Sequence, residues 1–344
     1  MKRVKLLFPL LPLLFSFFVG QAQPQRVAFW NVENFFDTRN DTLTNDDAFT
    51  PQGTNHWTSS RFDLKCNNIF KTLVALDAPM VVGLAEVENS YVLSQLCFAT
   101  PLRKFGYDFI HFDSPDPRGI DCALLYRRAL FNPFHSSAIT VSDSATRWFS
   151  RDLLLVGGTT SSGDSLFLLV CHLPSKLGAT LADHHRARIA HRIRALVDSL
   201  SVSHPCLPVF VMGDFNADPR ESAFCASFGF PSLPLSEAYP ADALPVNPEG
   251  LLGLMYAFAE GEGSCSYADR WSFFDQFLVR IPACSKFTTP VAQLFRPDFL
   301  LKPSPCSQSV RPFRTYSGPN YLGGFSDHLP IYIDLIRSDP STVR

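Results

Sequence analysis

Apolar and polar positions along this chain fall into short blocks, and several of the apolar blocks end on an acid, an amide or an imidazole. Val209-Phe210-Val211-Met212, held between Pro208 and Gly213, has the length and flanks of a buried strand. It delivers Asp214 and Asn216 at its exit. Arg26 to Trp30 predicts a first strand running into Asn31 and Glu33, and Met80 to Ala85 a second that ends at Glu86, with Glu88 two places on. Further strands are expected over Tyr107 to Phe112, Ile120 to Tyr126, Trp271 to Val279 and Pro330 to Ile336. Leu153 to Val156 and Leu166 to Val170, separated by Gly157-Gly158 and Ser161-Ser162-Gly163-Asp164, form a hairpin pattern ending at His172.

Helical spacing appears in three places. Ile69, Leu73 and Leu76, with Lys65 and Lys71 off that face, predict a helix over Arg61 to Leu76 that Pro79 stops. Ile189, Ile193, Leu196, Val197 and Leu200 trace a second apolar stripe, opposite a face carrying Arg186, Arg188, Arg192 and Arg194, and a shorter helix is expected over Tyr91 to Phe98. Asn40 to Ser60 and Pro282 to Tyr321 read as loop-rich, and Phe230 to Gly263 as an irregular insertion. Strands of mixed burial between a few long helices indicate an α/β or α+β domain with two packed sheets; the pattern alone leaves the two open.

Composition narrows the function class. With 344 residues, 46% hydrophobic and 18% charged, the chain can bury a large core and is not a disordered one. Met1-Lys2-Arg3-Val4-Lys5, the apolar run Leu6 to Val19, and small residues at Gly20 and Ala22 read as a signal peptide over residues 1–22. That leaves 23–344 as a single domain exported to the periplasm or beyond, with no later stretch long and apolar enough to span a membrane. Removing three basic residues from a formal charge of -2 makes the mature chain mildly acidic, so a broad cationic surface is excluded and nucleic acid would need a local basic rim or bound cations. The nine cysteines are irregularly spaced with no C-x-x-C, which excludes a zinc site. Export permits disulfides, yet Cys122, Cys171 and Cys206 lie in apolar runs where a free buried thiol is expected, and no pair is assigned.

The strand exits carry the candidate chemistry. Residues i and i+2 of an extended chain share a side, so Asp214 with Asn216, and Asn31 with Glu33, would each face one small volume; an isolated D-x-N equally well forms an Asx turn. Together Asn31, Glu33, Glu86, His172, Asp214, Asn216, Asp327 and His328 supply carboxylates and amides for a hard cation plus two imidazoles, a set suited to phosphoryl-type hydrolysis. Mg²⁺ or Mn²⁺ fits such oxygen ligands best, with Ca²⁺ also allowed.

These residues lie in Trp30-Asn31-Val32-Glu33-Asn34, Leu84-Ala85-Glu86-Val87, His172-Leu173-Pro174-Ser175, Gly213-Asp214-Phe215-Asn216, Trp271-Ser272-Phe273-Phe274-Asp275-Gln276 and Ser326-Asp327-His328-Leu329-Pro330. In that order they resemble the motif set of the endonuclease/exonuclease/phosphatase superfamily, which includes deoxyribonucleases, abasic-site endonucleases, inositol polyphosphate 5-phosphatases and sphingomyelinases. The likeness runs from Arg26 to about Leu335 and is nearest in flavour to secreted bacterial members with the same W-N-V-E-N start. It implies a four-layer α/β/β/α sandwich of two packed mixed sheets, deoxyribonuclease-like.

By the same resemblance Glu86 is the principal metal ligand, with Asn31 and Glu33 close by and Asp327 completing the shell through water. His328 is the catalytic histidine oriented by Asp275. Asp214 orients the attacking water, Asn216 donates to a phosphoryl oxygen, and His172 stands where deoxyribonuclease-like relatives keep a general acid. Lys176 and Arg186, with Arg188, form a candidate basic rim for substrate, and Asp121 is a candidate to steady His172. Ordinary readings stand beside these: Glu86 and Glu88 starting a helix, His172 in the core, Asp275 pairing with Arg270, and the arginines as a solvated helix face.

The expected function is thus a divalent-metal-dependent phosphodiesterase, an endonuclease acting on DNA or RNA, with no stable protein partner implied. A sphingomyelinase-like phospholipase C or a sugar-phosphate or inositol phosphatase would use the same site. A non-catalytic binding protein on the same fold would not need every acid, amide and imidazole.

Overall fold

Side chains of the first strand, β1 (Gln25–Phe35), part company by turns: Val27 and Phe29 enter the core between two sheets, while Ala28 and Trp30 pack on the other face with a helix. The computed structural model describes residues 25–338, apart from 144–147, 177–178, 233–237, 241, 260, 268 and 305–308. The leader expected over residues 1–22 lies outside the described residues.

In chain order the main strands are β1, β2 (Val81–Val87), β3 (Tyr107–His111), β4 (Asp121–Arg127), β5 (Phe131–Ile139), β6 (Leu153–Thr160), β7 (Ser165–His172), β8 (Val209–Asp214), β9 (Leu252–Gly253), β10 (Cys265–Tyr267), β11 (Arg270–Ser272), β12 (Asp275–Arg280), β13 (Ala292–Leu294) and β14 (Ile331–Leu335). One six-stranded sheet runs β13-β14-β1-β2-β4-β3 and the other β9-β12-β8-β7-β6-β5. Both are mixed: β1 with β2 and β7 with β8 are parallel, and their outer neighbours antiparallel. Helix α1 (Ser59–Ala75) buries Phe62, Cys66, Ile69 and Leu73 against the outer face of the first sheet. A short helix α2 (Ser90–Ser94) runs into a π turn over Gln95–Ala99, and the long α3 (Ala179–Ser203) with α4 (Ser222–Phe228) covers the second sheet. The result is the expected α/β/β/α order of layers.

Three departures from expectation have physical reasons. Strand β5 carries Asn132, Pro133, His135, Ser136 and Ser137 at a sheet edge, where Pro and polar residues are tolerated, so no apolar pattern announces it. The stretch around Leu251 to Tyr256 is irregular but buried, sealing the sheet end at β9. Trp271 to Val279 is two strands, because the β10–β11 hairpin ends at Ser272 before β12 starts at Asp275.

Two side-chain expectations are also corrected. Lys65 does not lie off the apolar face of α1: it is buried, its ammonium donating to Thr315 Oγ1 and the Phe325 carbonyl, both at 2.7 Å. Cys206 is not a free thiol but is bonded to Cys284, 78 residues away, a pairing only the tertiary fold brings together. Among the described residues no helix is long and apolar enough to cross a membrane.

Candidate active site

Register places the first three functional side chains. In the second sheet Asp214 lies opposite His172 on β7 and opposite Asp275 on β12, so three polar strand ends stand side by side. Gly213 permits the close approach: a Cβ there would sit 2.2 Å from the carbonyl oxygen of Cys171. The turn before β14 then brings His328 across, its backbone carbonyl accepting from Trp30 Nε1 at 2.9 Å and its N–H donating to Ser326 Oγ at 3.1 Å.

His328 Nδ1 is 2.7 Å from Asp275 Oδ2, and the same oxygen accepts the Ser264 hydroxyl. His328 Nε2 and His172 Nε2 lie 3.7 and 3.6 Å from Asp214 Oδ2. Burial works against charge on His328, but Asp275 foremost and then Asp214 hold it well above the usual imidazole range. Burial likewise pushes Asp214 up to about 7, although His328 and hydrogen bonds from Asn216 and Asn31 oppose it. His172 goes the other way: burial, then Arg151 and Arg118, keep it well below the usual range and therefore neutral. A resting imidazolium, as the general-acid reading of His172 requires, is not what this environment favours.

The second half of the site stands on the first sheet. Asn31 Nδ2 donates to Asp214 Oδ2 at 3.0 Å and reaches Glu86 Oε1 at 3.3 Å, linking the two sheets. Glu86 Oε2 accepts from the Asn34 N–H at 2.8 Å. The extended i, i+2 geometry expected here does not hold. Glu33, Asn34, Glu86 and Asn216 all take left-handed backbone conformations, φ 53°, 54°, 64° and 50°, which L side chains rarely adopt. β1 and β2 bulge at those points, and Asn216 closes an Asx turn, its N–H donating to Asp214 Oδ1 at 2.8 Å and its amide to the Leu173 carbonyl at 2.9 Å.

Glu33 therefore turns from Glu86 towards Arg314, whose Nε is 3.4 Å from Glu33 Oε1 and whose Nη2 is 2.9 Å from Asp327 Oδ2. Burial, reinforced by Asp327, raises Glu33 to about 7, and burial lowers Lys65 to about 8 while Glu33, Asp327 and Glu86 pull it back. Three carboxylates, Glu33, Glu86 and Asp327, thus gather around two cations, Lys65 and Arg314. Glu33 and Asp327 pair with Arg314, whereas Glu86 is held by the Asn31 amide nitrogen and the Asn34 N–H, so its carboxylate oxygens are the ones that fit a hard divalent ion; Asn31 Oδ1 accepts the Glu33 N–H at 3.0 Å. Asp214, Asp275 and His328 also bring ligand-type atoms within 4.8 Å of one another. Because Asp275 Oδ2 already accepts from both Ser264 and His328, that trio reads as a proton-handling group.

The expected basic rim is differently arranged. Arg186 holds the chain after His172, donating to the Pro174 and Ser175 carbonyls at 2.9 and 3.0 Å and pairing with Asp183. Lys176 pairs with Glu221 and lies 4.7 Å over the Phe274 ring, and Arg188 is 3.4 Å from Asp143. Asp121 does not touch His172; it lies 3.3 Å from His111 and accepts the Ser114 N–H. The cations near His172 are Arg118 and Arg151, which the sequence pattern did not mark because each stands alone in a loop. Ser264, Lys65 and Arg314 were equally invisible, since only tertiary contact gives them a role.

Glu88 gives a test of burial beside the site. Burial pushes its carboxyl from 4.5 up to about 8, with Asp37, Asp46 and Asp41 adding to the rise and the Asp37 N–H opposing it. Between those pH values the folded chain keeps a proton that the unfolded chain releases, so this group's contribution to stability falls as pH rises through the window. In chelator, Glu88→Gln is expected to melt with the wild type near pH 4.5 and above it at pH 9. Equal melting temperatures at pH 9 would show that Glu88 is not a buried carboxyl.

The sequence matches the Endonuclease/Exonuclease/phosphatase family over residues 26–337. A search of curated proteins gave no match. Among solved structures, a mannosyl-6-phosphatase from Bacteroides thetaiotaomicron aligns with a TM-score of 0.56 at 16% identity, covering 90% of this chain and 99% of that one. TDP2 from D. rerio, complexed with single strand DNA product, aligns at 0.55 and 18% identity over 92% and 100% of the two chains. The human Nocturnin catalytic domain with bound sulfate anion gives 0.53 and 18% over 92% and 95%. At such identities these likenesses speak to the fold.

Proposed function

The chain belongs to the endonuclease/exonuclease/phosphatase family, a family of phosphoric ester hydrolases that depend on divalent metal, and from that premise we propose that it is a phosphodiesterase cleaving nucleic acid outside the cytoplasm. The observation that carries the reading is the convergence of His172, Asp214 and Asp275 from one sheet on Asn31, Glu86 and, from the turn before β14, His328 of the other. Glu86, steadied by the Asn31 amide, would hold Mg²⁺ or a similar ion, which when bound supplies positive charge to the phosphoryl oxygens. His328, kept cationic between Asp275 and Asp214, donates to an equatorial oxygen as negative charge builds during in-line attack. Asp214 is pinned by Asn31 and by the Asn216 N–H, so its carboxylate faces the same volume and can take the proton of the attacking water. Neutral His172 contributes a fixed polar wall on the remaining side. Two further observations support export and a polymeric substrate: the Cys206–Cys284 bond suits an oxidising compartment, and TDP2 in the aligned structure holds DNA.

The deciding assay offers one preparation four substrates, with and without chelator: bis-p-nitrophenyl phosphate, plasmid DNA, sphingomyelin liposomes and mannose 6-phosphate. Chelator-sensitive turnover of the first two is expected. Turnover of mannose 6-phosphate without DNA cleavage would move the assignment to a sugar phosphatase, as the aligned mannosyl-6-phosphatase suggests, and no metal-dependent turnover of any would defeat it.

A further inference from the structure

A cavity of about 600 Å³ opens beside His172. Its wall is aromatic: Trp148 stacks on His185 with ring centroids 3.8 Å apart and 6° between planes, and next to it Phe149 leaves half its surface exposed. His172 Nδ1 and His185 Nε2 are buried without hydrogen-bond partners, and both residues line this cavity. The charges are unequal. Arg151 is matched by Asp116 at 2.9 Å, whereas Arg118 bonds the neutral amide of Asn34 at 2.8 Å, and the Asn34 N–H is the group that holds Glu86.

Resting on the phosphodiesterase reading, we propose that this cavity is a base subsite: it takes one unstacked nucleobase of the substrate next to the scissile phosphate, while Arg118 holds an adjacent phosphate. A planar heterocycle suits the exposed Phe149 face, and its ring nitrogens and exocyclic groups can pair with imidazole nitrogens that otherwise lack partners. The charges of the lining disfavour a choline headgroup: Asp116 is already tied to Arg151, and Arg118 would repel a quaternary ammonium. A base in a duplex must first leave its stack, and this costs free energy that a single strand does not face. Single-stranded nucleic acid is therefore preferred over duplex.

The test compares one sequence as a single strand, as a duplex, and as a single strand with an abasic residue placed on one or the other side of the cut, using the full-length protein with Mg²⁺. Wild type is expected to cleave the single strand at least tenfold faster than the duplex. Phe149→Ala should raise KM about tenfold on the single strand, and the abasic residue, on one of the two sides, should cost the wild type a similar factor but cost the variant little more. Equal rates on single strand and duplex, or additive losses from Phe149→Ala and the abasic residue at both placements, would overturn the base subsite. Turnover of bis-p-nitrophenyl phosphate with no oligonucleotide cleavage would overturn it while leaving a metal-dependent phosphoesterase standing; loss of both would remove the underlying function.

Discussion

Replacing His328 with Gln is expected to lower kcat on bis-p-nitrophenyl phosphate by roughly a thousandfold to ten-thousandfold while changing KM little. The imidazole is buried, cationic and aimed by two carboxylates, so it acts on charge that develops during attack more than on the bound ground state. Asp275 works through it. Its carboxylate is fully buried, is fixed by Ser264, and meets Nδ1 rather than open solvent. Asp275→Asn should therefore lose a large part of the same factor and shift the pH profile, since the imidazolium loses the partner that holds its proton most strongly. The double variant should be little worse than His328→Gln alone, because the pair operates as a unit. Losses under tenfold in His328→Gln, with an intact fold by circular dichroism, would place the chemistry elsewhere. Additive losses in the double variant would instead separate Asp275 from His328.

What the sequence made legible follows burial. β8 is apolar on both faces because sheet and helices cover both, so four residues sufficed to recognise it. The edge strand β5 borrows its position from β6 and has no pattern of its own. The same division runs through the site. Acids and imidazoles at strand exits were visible as polar residues closing apolar runs, and the sheet register did align His172, Asp214 and Asp275. Which way each side chain turns was not visible, because four residues near the site sit in left-handed conformations that no spacing rule encodes. That is why Glu33, two places from Asn31, faces Arg314 and not Glu86. Lys65 shows a complementary blindness: a charge on a helix looks like a solvated one until a distant loop, Thr315 to Phe325, supplies its acceptors.

Glu86→Gln carries the other large effect, expected at roughly a hundredfold or more in kcat at fixed Mg²⁺. The substitution keeps shape and an oxygen near Asn31 while removing a carboxylate charge that, unlike those of Glu33 and Asp327, has no arginine paired with it. A hard divalent ion loses its charged oxygen ligand, and the half-saturating Mg²⁺ concentration should rise by at least tenfold. Binding can be read without turnover, by calorimetric titration of Mg²⁺ into wild type and variant, which separates loss of the ion from loss of chemistry. Melting gives a second readout without turnover: the stabilisation that Mg²⁺ gives the wild type should shrink in the variant. Unchanged Mg²⁺ affinity with normal turnover would show that the ion, if one serves this site, is held by other residues.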